Sequence, residues 1–156
     1  AGTVRLGWIN ISVASLPVIV GAMLYGPVGG LLVGLLGAFM GQLLTYGVTA
    51  TTILWILPQA ARGLLVGVYA KHCGYKFSSG QLTLALIGTA LVVTALNTGA
   101  MYIDSVIYNY YSYAYVFGGL VVRIISGAAT AVLMVFVAPP VVNLLNRSLD
   151  TVRTAQ

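Results

Sequence analysis

The chain predicts an all-α, polytopic membrane helix bundle. Three observations carry that expectation: 60% of its 156 residues are hydrophobic, only 6% are charged, and apolar runs of near-membrane length recur from end to end. A soluble domain carries about a quarter charged residues, so lipid rather than water is the main solvent here. Residues 1–156 read as a single integral membrane domain, and a lipid bilayer is the first expected partner.

Polar punctuation divides the chain into five expected passes, each close to the roughly 20 residues that cross hydrocarbon as a helix. The first is Leu6–Tyr25, ended by Gly26-Pro27, where proline has no N–H to continue a ladder. The second is Val28–Tyr46, closed by the polar stretch Gly47–Thr52. The third is Ile53–Ala70, the fourth Leu82–Ile103 and the fifth Tyr115–Ala138. Small residues recur at four-residue spacing in Gly26, Gly30 and Gly34 and in Gly37 and Gly41, while Gly119, Gly127 and Ala131 share a face with Arg123. Such stripes let helix backbones approach in lipid, either inside the bundle or against a second chain.

Charge orients the passes. Lys71 and Lys76, after the third pass, and Arg147 and Arg153, in the tail, fall on one side, and positive charge collects in the cytoplasm. The N-terminus, Gly47–Thr52 and Asp104–Ala114 then face outward. The net charge of +5 comes from scattered side chains, so nucleic acid is not an expected partner.

Two arginines interrupt apolar runs. A guanidinium in hydrocarbon costs a few kcal/mol even on lenient scales and therefore faces a cavity, a partner or a ligand. Trp55, Gln59 and Arg62 follow i, i+4, i+7 spacing on one face of the third pass, with Arg62 about 13 Å below its outer end. Arg123 is expected about 12 Å below the start of the fifth pass, and Asn97 and Thr98 near the outer end of the fourth. These helices are expected to share an outward-opening pocket suited to an anionic or carbonyl-rich ligand, because the guanidinium fork matches a carboxylate. The alternative for each arginine is structural, capping carbonyls at a broken helix end such as one near Pro58. Six of the ten tyrosines fall between Tyr102 and Tyr115. They read either as an interfacial belt or as an aromatic lid over a planar ligand.

Several chemistries are excluded. No Gly-rich phosphate loop with Lys-Ser/Thr is present. There is no glutamate, and Asp104 and Asp150 are expected outside the passes, so no intramembrane carboxylate is available to couple transport to protons or sodium. Cys73 is the only cysteine and His72 the only histidine; both sit in the inner connection, leaving no expected metal or cofactor and no catalytic constellation.

The stretch Ile11–Gly41, ISVASLPVIVGAMLYGPVGGLLVGLLGAFMG, resembles the substrate-binding (S) components of energy-coupling factor (ECF) vitamin transporters. The shared pattern is a Leu-Pro helix, a Leu/Phe-(Tyr/Phe)-Gly-Pro-x-(Gly/Ala)-Gly turn and a Gly-rich helix. ARGLLVGVY (Ala61–Tyr69), ALNTGAMY (Ala95–Tyr102) and VVRIISG (Val121–Gly127) look like the folate-type branch. The chain departs from the pattern at GQLLTYG (Gly41–Gly47), where relatives often carry an acidic residue.

The resemblance implies six helices, the first expected upstream of Ala1, in a bacterial cytoplasmic membrane. It implies high-affinity capture of a vitamin at the outer face, with a transmembrane scaffold subunit and two cytoplasmic ATPases as partners. Arg123, Asn97 and the outer loops are the foremost expected ligand contacts, joined by Arg62, Gln59, Trp55, Tyr102 and Tyr115. Folate is the favoured ligand, with pantothenate, biotin, riboflavin, pyridoxine, cobalamin and a queuosine precursor open. The competing expectation is a structural membrane subunit whose arginines pair with acidic residues of a neighbouring chain.

Overall fold

Helices follow the apolar runs, but the first two expected passes do not become two separate spans. The computed structural model describes residues 3–6, 9–12 and 14–154. Strands β1 (Thr3–Leu6) and β2 (Ile9–Ser12) pair antiparallel with Thr3 opposite Ser12. Helices α1 (Ser15–Tyr46), α2 (Thr52–His72), α3 (Ser79–Ile107), α4 (Tyr113–Phe117) and α5 (Leu120–Thr154) follow. Among the described residues, four segments are long and apolar enough to cross a membrane: α1, α2, α3, and α4 with α5 as Tyr113–Asp150. The expectation of five is therefore corrected to four.

The reason lies at both ends of the first expected pass. Within it, Leu6 ends β1 and Ile9–Ser12 form β2, extended structure that suits isoleucine's β-branched side chain, and β2 lies against α5. What remains, residues 15–25, rises only about 16 Å as helix, roughly half the hydrocarbon thickness. It joins the next run as one kinked element. Gly26 supplies the kink with φ 74° and ψ −157°, a backbone conformation open to glycine, and Pro27 can start the following helical arm without a missing bond. A Cβ on Gly21 would sit 3.0 Å from Val33, and one on Gly30 2.6 Å from Ala22. In a straight helix, positions 21 and 33 would lie about 18 Å apart, so the two arms fold against each other.

The second arm packs antiparallel to α2 through glycine. Gly30 and Gly63 meet backbone to backbone, Gly67 meets Pro27, and a Cβ on Gly34 would stand 2.5 Å from the carbonyl oxygen of Gln59. The first small-residue stripe is thus spent on internal packing, while positions above Gly37 and Gly41 are open. Apolar burial completes the bundle: Ile19, Met23, Val66, Leu82, Leu86 and Met134 form one core cluster.

Two helix ends set the poles of the bundle. At the end of α2, Gly74 (φ 60°) closes a turn in which the Tyr75 N–H donates to the Ala70 carbonyl, the 6→1 bond of a Schellman cap. Tyr75 thereby reaches the Gly26 kink. At the other pole, Asn109 (φ 57°) does the same for α3, with Tyr110 N–H donating to the Ser105 carbonyl. Asparagine is among the few non-glycine residues that tolerate this conformation. The fifth expected pass is also corrected. It breaks at Gly118-Gly119 into α4 and α5, and α5 continues through Pro139 and Pro140 past Ala138.

Candidate functional site

Polar residues from α2, α3 and α5 line a cavity of about 180 Å³: Arg62 from α2, Thr94 and Asn97 from α3, and Arg123, Ser126 and Thr130 from α5. Gly127 packs closely on α3, where a Cβ would stand in ordinary contact with the Thr94 hydroxyl at 3.4 Å. Three sequence-predicted residues, Arg62, Asn97 and Arg123, therefore converge.

The two arginines differ in their bonding. Arg123 is three residues into α5, only about 4.5 Å from its start rather than the expected 12 Å, because the preceding turn belongs to α4. Its Nη2 donates to the carbonyls of Val116 (2.7 Å) and Tyr115 (3.4 Å), and its Nη1 to the Thr98 hydroxyl (3.2 Å). It thus satisfies carbonyls that the end of α4 leaves without helical partners. Thr98 meanwhile donates to the Thr94 carbonyl at 2.8 Å, so its hydroxyl serves as donor and acceptor at once. Arg62 is the opposite case. Its buried Nη1 has no hydrogen-bond partner among the described residues, and neither has the Gln59 Oε1 one turn away. Nor does α2 break at Pro58, so no helix end there requires capping. A buried unsatisfied donor costs about 1–3 kcal/mol, more when charged.

Beyond this cavity lies a second of about 370 Å³, walled by Gln42 and Tyr46 of α1, Thr49 and Thr51, Trp55 of α2, Asp104 of α3, and Tyr108, Tyr110 and Tyr115. Asp104 belongs to α3 and is only 8% exposed, correcting the expectation that both aspartates lie outside the membrane-length segments. Its carboxylate accepts from the hydroxyls of Thr51 and Tyr110. The Asn109 turn brings Tyr110 back onto its own helix end, and the bond to Asp104, followed by burial, pushes the Tyr110 phenol well above its ordinary range. Tyr110 also packs edge-on against Tyr115 with centroids 5.5 Å apart.

Trp55 and Tyr115 thus line the outer cavity, whereas Gln59 lies between the two levels against the Gly34 backbone. Tyr102 joins neither cavity; it is exposed and stacks edge-on with Tyr111 at 5.4 Å. Tyr115 bridges the levels, its carbonyl accepting from Arg123 while its ring faces the outer cavity. Sequence reasoning missed Asp104, Thr51 and Gln42. Asp104 carried a usable signal: Thr94, Asn97, Met101 and Asp104 follow i, i+3, i+7, i+10 spacing, one helical face.

Residues 2–142 match the family described as ECF transporter, substrate-specific component. The chain belongs to that family. An S component is a transport protein rather than an enzyme, and this one is a multi-pass membrane protein. The chain is also 39% identical over 75 residues to a UPF0397 protein of Leuconostoc citreum (strain KM20). That match covers 48% of this chain and 37% of the relative, so the chain spans well under half of that relative's length.

Proposed function

We propose that the protein captures a vitamin or related micronutrient at the outer face of the membrane, as the S component of an ATP-driven importer. One observation carries the reading: three helices converge on a single cavity with two guanidiniums, one of which has a buried donor without a partner among the described residues. A ligand carboxylate or carbonyl would satisfy that donor in a charge-assisted bond. Asn97 and Arg123 are the neighbouring contacts, with Gln59 offering its free oxygen, and the aromatic cavity above receives a planar ring. Tyr102 acts from the rim.

The pole carrying Lys71, Lys76 and Arg147 faces the cytoplasm by the positive-inside rule, which puts both cavities toward the outside. A chain with no phosphate-binding loop needs an external source of energy. By its family the partners are a transmembrane scaffold and two cytoplasmic ATPases. Folate suits the basic lower cavity and aromatic upper one, and it heads the ligands to be tried. The structural-subunit reading is weaker, because Arg62 lines a cavity formed by this chain's own helices α2, α3 and α5.

Binding separates the readings. The purified chain in lipid nanodiscs, without ATPases, should bind one member of a vitamin panel saturably at micromolar affinity or better by isothermal titration. Failure across the panel would leave the structural reading.

A further inference from the structure

We infer that the outer cavity is a cation-recognising subsite, so that the captured molecule is dipolar: a planar, positively charged nitrogenous group outward and a carbonyl or carboxylate end inward. This rests on the capture reading above and adds the charge class of the ligand, which ranks vitamins with a cationic ring above folate, whose pterin is uncharged near neutral pH.

Asp104 is one of only two acidic residues in the chain, and it is buried in the wall of a cavity that contains no lysine or arginine among its lining residues. Its hydrogen-bond donors, the Thr51 and Tyr110 hydroxyls and the Trp55 indole N–H, are all neutral. They hold the carboxylate in place but leave its charge uncompensated, and an ionised carboxylate retains further acceptor capacity. A buried charge without a counter-charge is costly. Around it stand Trp55, Tyr46, Tyr108 and Tyr115, rings whose faces attract cations, Trp most strongly. Carboxylate and aromatic walls thus favour the same ligand charge from two independent interactions. The volume, about 370 Å³, falls in the range of small-molecule sites.

The inner cavity requires the opposite sign. Thr98, which accepts from Arg123, and Asp104 lie six residues apart on α3, about 9 Å along its axis. Trp55 and Arg62 lie seven residues apart on α2, about 10 Å. The outer level of Asp104 and Trp55 and the inner level of the guanidiniums are therefore at matching separation along both helices. Tyr115 joins the two levels: its ring lines the outer cavity while its carbonyl accepts from Arg123 of the inner one.

The test uses benzamidinium as the cationic aromatic probe and benzoate as its anionic counterpart. Each is titrated against the full chain in nanodiscs of zwitterionic lipid. The wild type should bind both saturably. Asp104→Asn should weaken benzamidinium at least about tenfold and leave benzoate within about twofold, while Asp104→Glu retains most cation binding. If Asp104→Asn does not fold, Tyr108→Leu, which leaves the Asp104 hydrogen bonds intact, should weaken benzamidinium about threefold. Absence of saturable benzamidinium binding by the wild type, or equal binding by a folded Asp104→Asn, overturns the proposal. A protein that binds a vitamin but not benzamidinium refutes the cation subsite alone; one that binds neither refutes capture as well.

Discussion

The two cavities are built from different material. The inner one is made by faces of continuous helices, α2, α3 and α5, and it gathers donors: Arg62, Asn97 and Arg123. The outer one is made largely by helix ends and the turns that cap them, and it gathers acceptors and rings around Asp104. Helix faces fix side chains by periodicity, so the inner level is set by α2, α3 and α5 themselves and leaves the Arg62 donor without a partner among the described residues. Turns fix side chains by hydrogen bonds across loops, so the outer level depends on a few contacts that tie loop to loop, with Thr51 and Tyr110 meeting on one carboxylate.

The largest expected effect removes the distinction altogether. Both levels hang on α2, whose approach to α1 requires Gly63 against Gly30. Gly63→Leu forces side-chain atoms into backbone and should cost about 3 kcal/mol or more. Thermal unfolding should show loss of folded protein, with binding of both probes lost together.

Next come the arginines, which separate an unpartnered buried donor from one that caps carbonyls. Arg62→Met removes a buried donor that has no partner, so benzoate should bind more than about tenfold more weakly while the melting temperature holds or rises. Arg123→Ala should also weaken a carboxylated ligand by more than about tenfold, but it strips the Val116 carbonyl of its donor and should destabilise the chain by about 1–3 kcal/mol. Unchanged affinity for Arg123→Ala would make that residue purely structural. Benzamidinium binding should survive Arg62→Met.

The smallest effect belongs to the outer turn. Tyr110→Phe deletes one hydrogen bond to Asp104 and should cost about 1 kcal/mol. Because that bond raises the Tyr110 phenol, its contribution is fully present below the ordinary phenol value near 10 and is lost as pH rises through the higher folded value. Ultraviolet titration of the wild type should therefore show one late-ionising phenol that Tyr110→Phe lacks.

The same division explains what could be read from the amino-acid sequence. The face shared by Trp55, Gln59 and Arg62, and the polar residues of α3 and α5, were legible because helical spacing alone places them. The kink at Gly26 was legible as an interruption, but not as a fold-back within one element, since that depends on Gly21 and Gly30 meeting residues across the bend. Asp104 was placed outside the membrane-length segments because its charge ended the apolar run; only the α3 cap at Asn109 shows the helix continuing past it. Arg123 was placed too deep because Gly118-Gly119 looked like another small-residue step within a long pass. The break there gives Arg123 carbonyls to cap, which no spacing rule reveals.

Native mass spectrometry of the chain purified gently from its host membrane tests the central claim most directly. The account predicts a stoichiometric small molecule that combines a planar nitrogenous group with a carboxylate or carbonyl end and is lost in Arg62→Met. A chain that carries no such molecule, and takes up none when the vitamin panel is supplied, would contradict it.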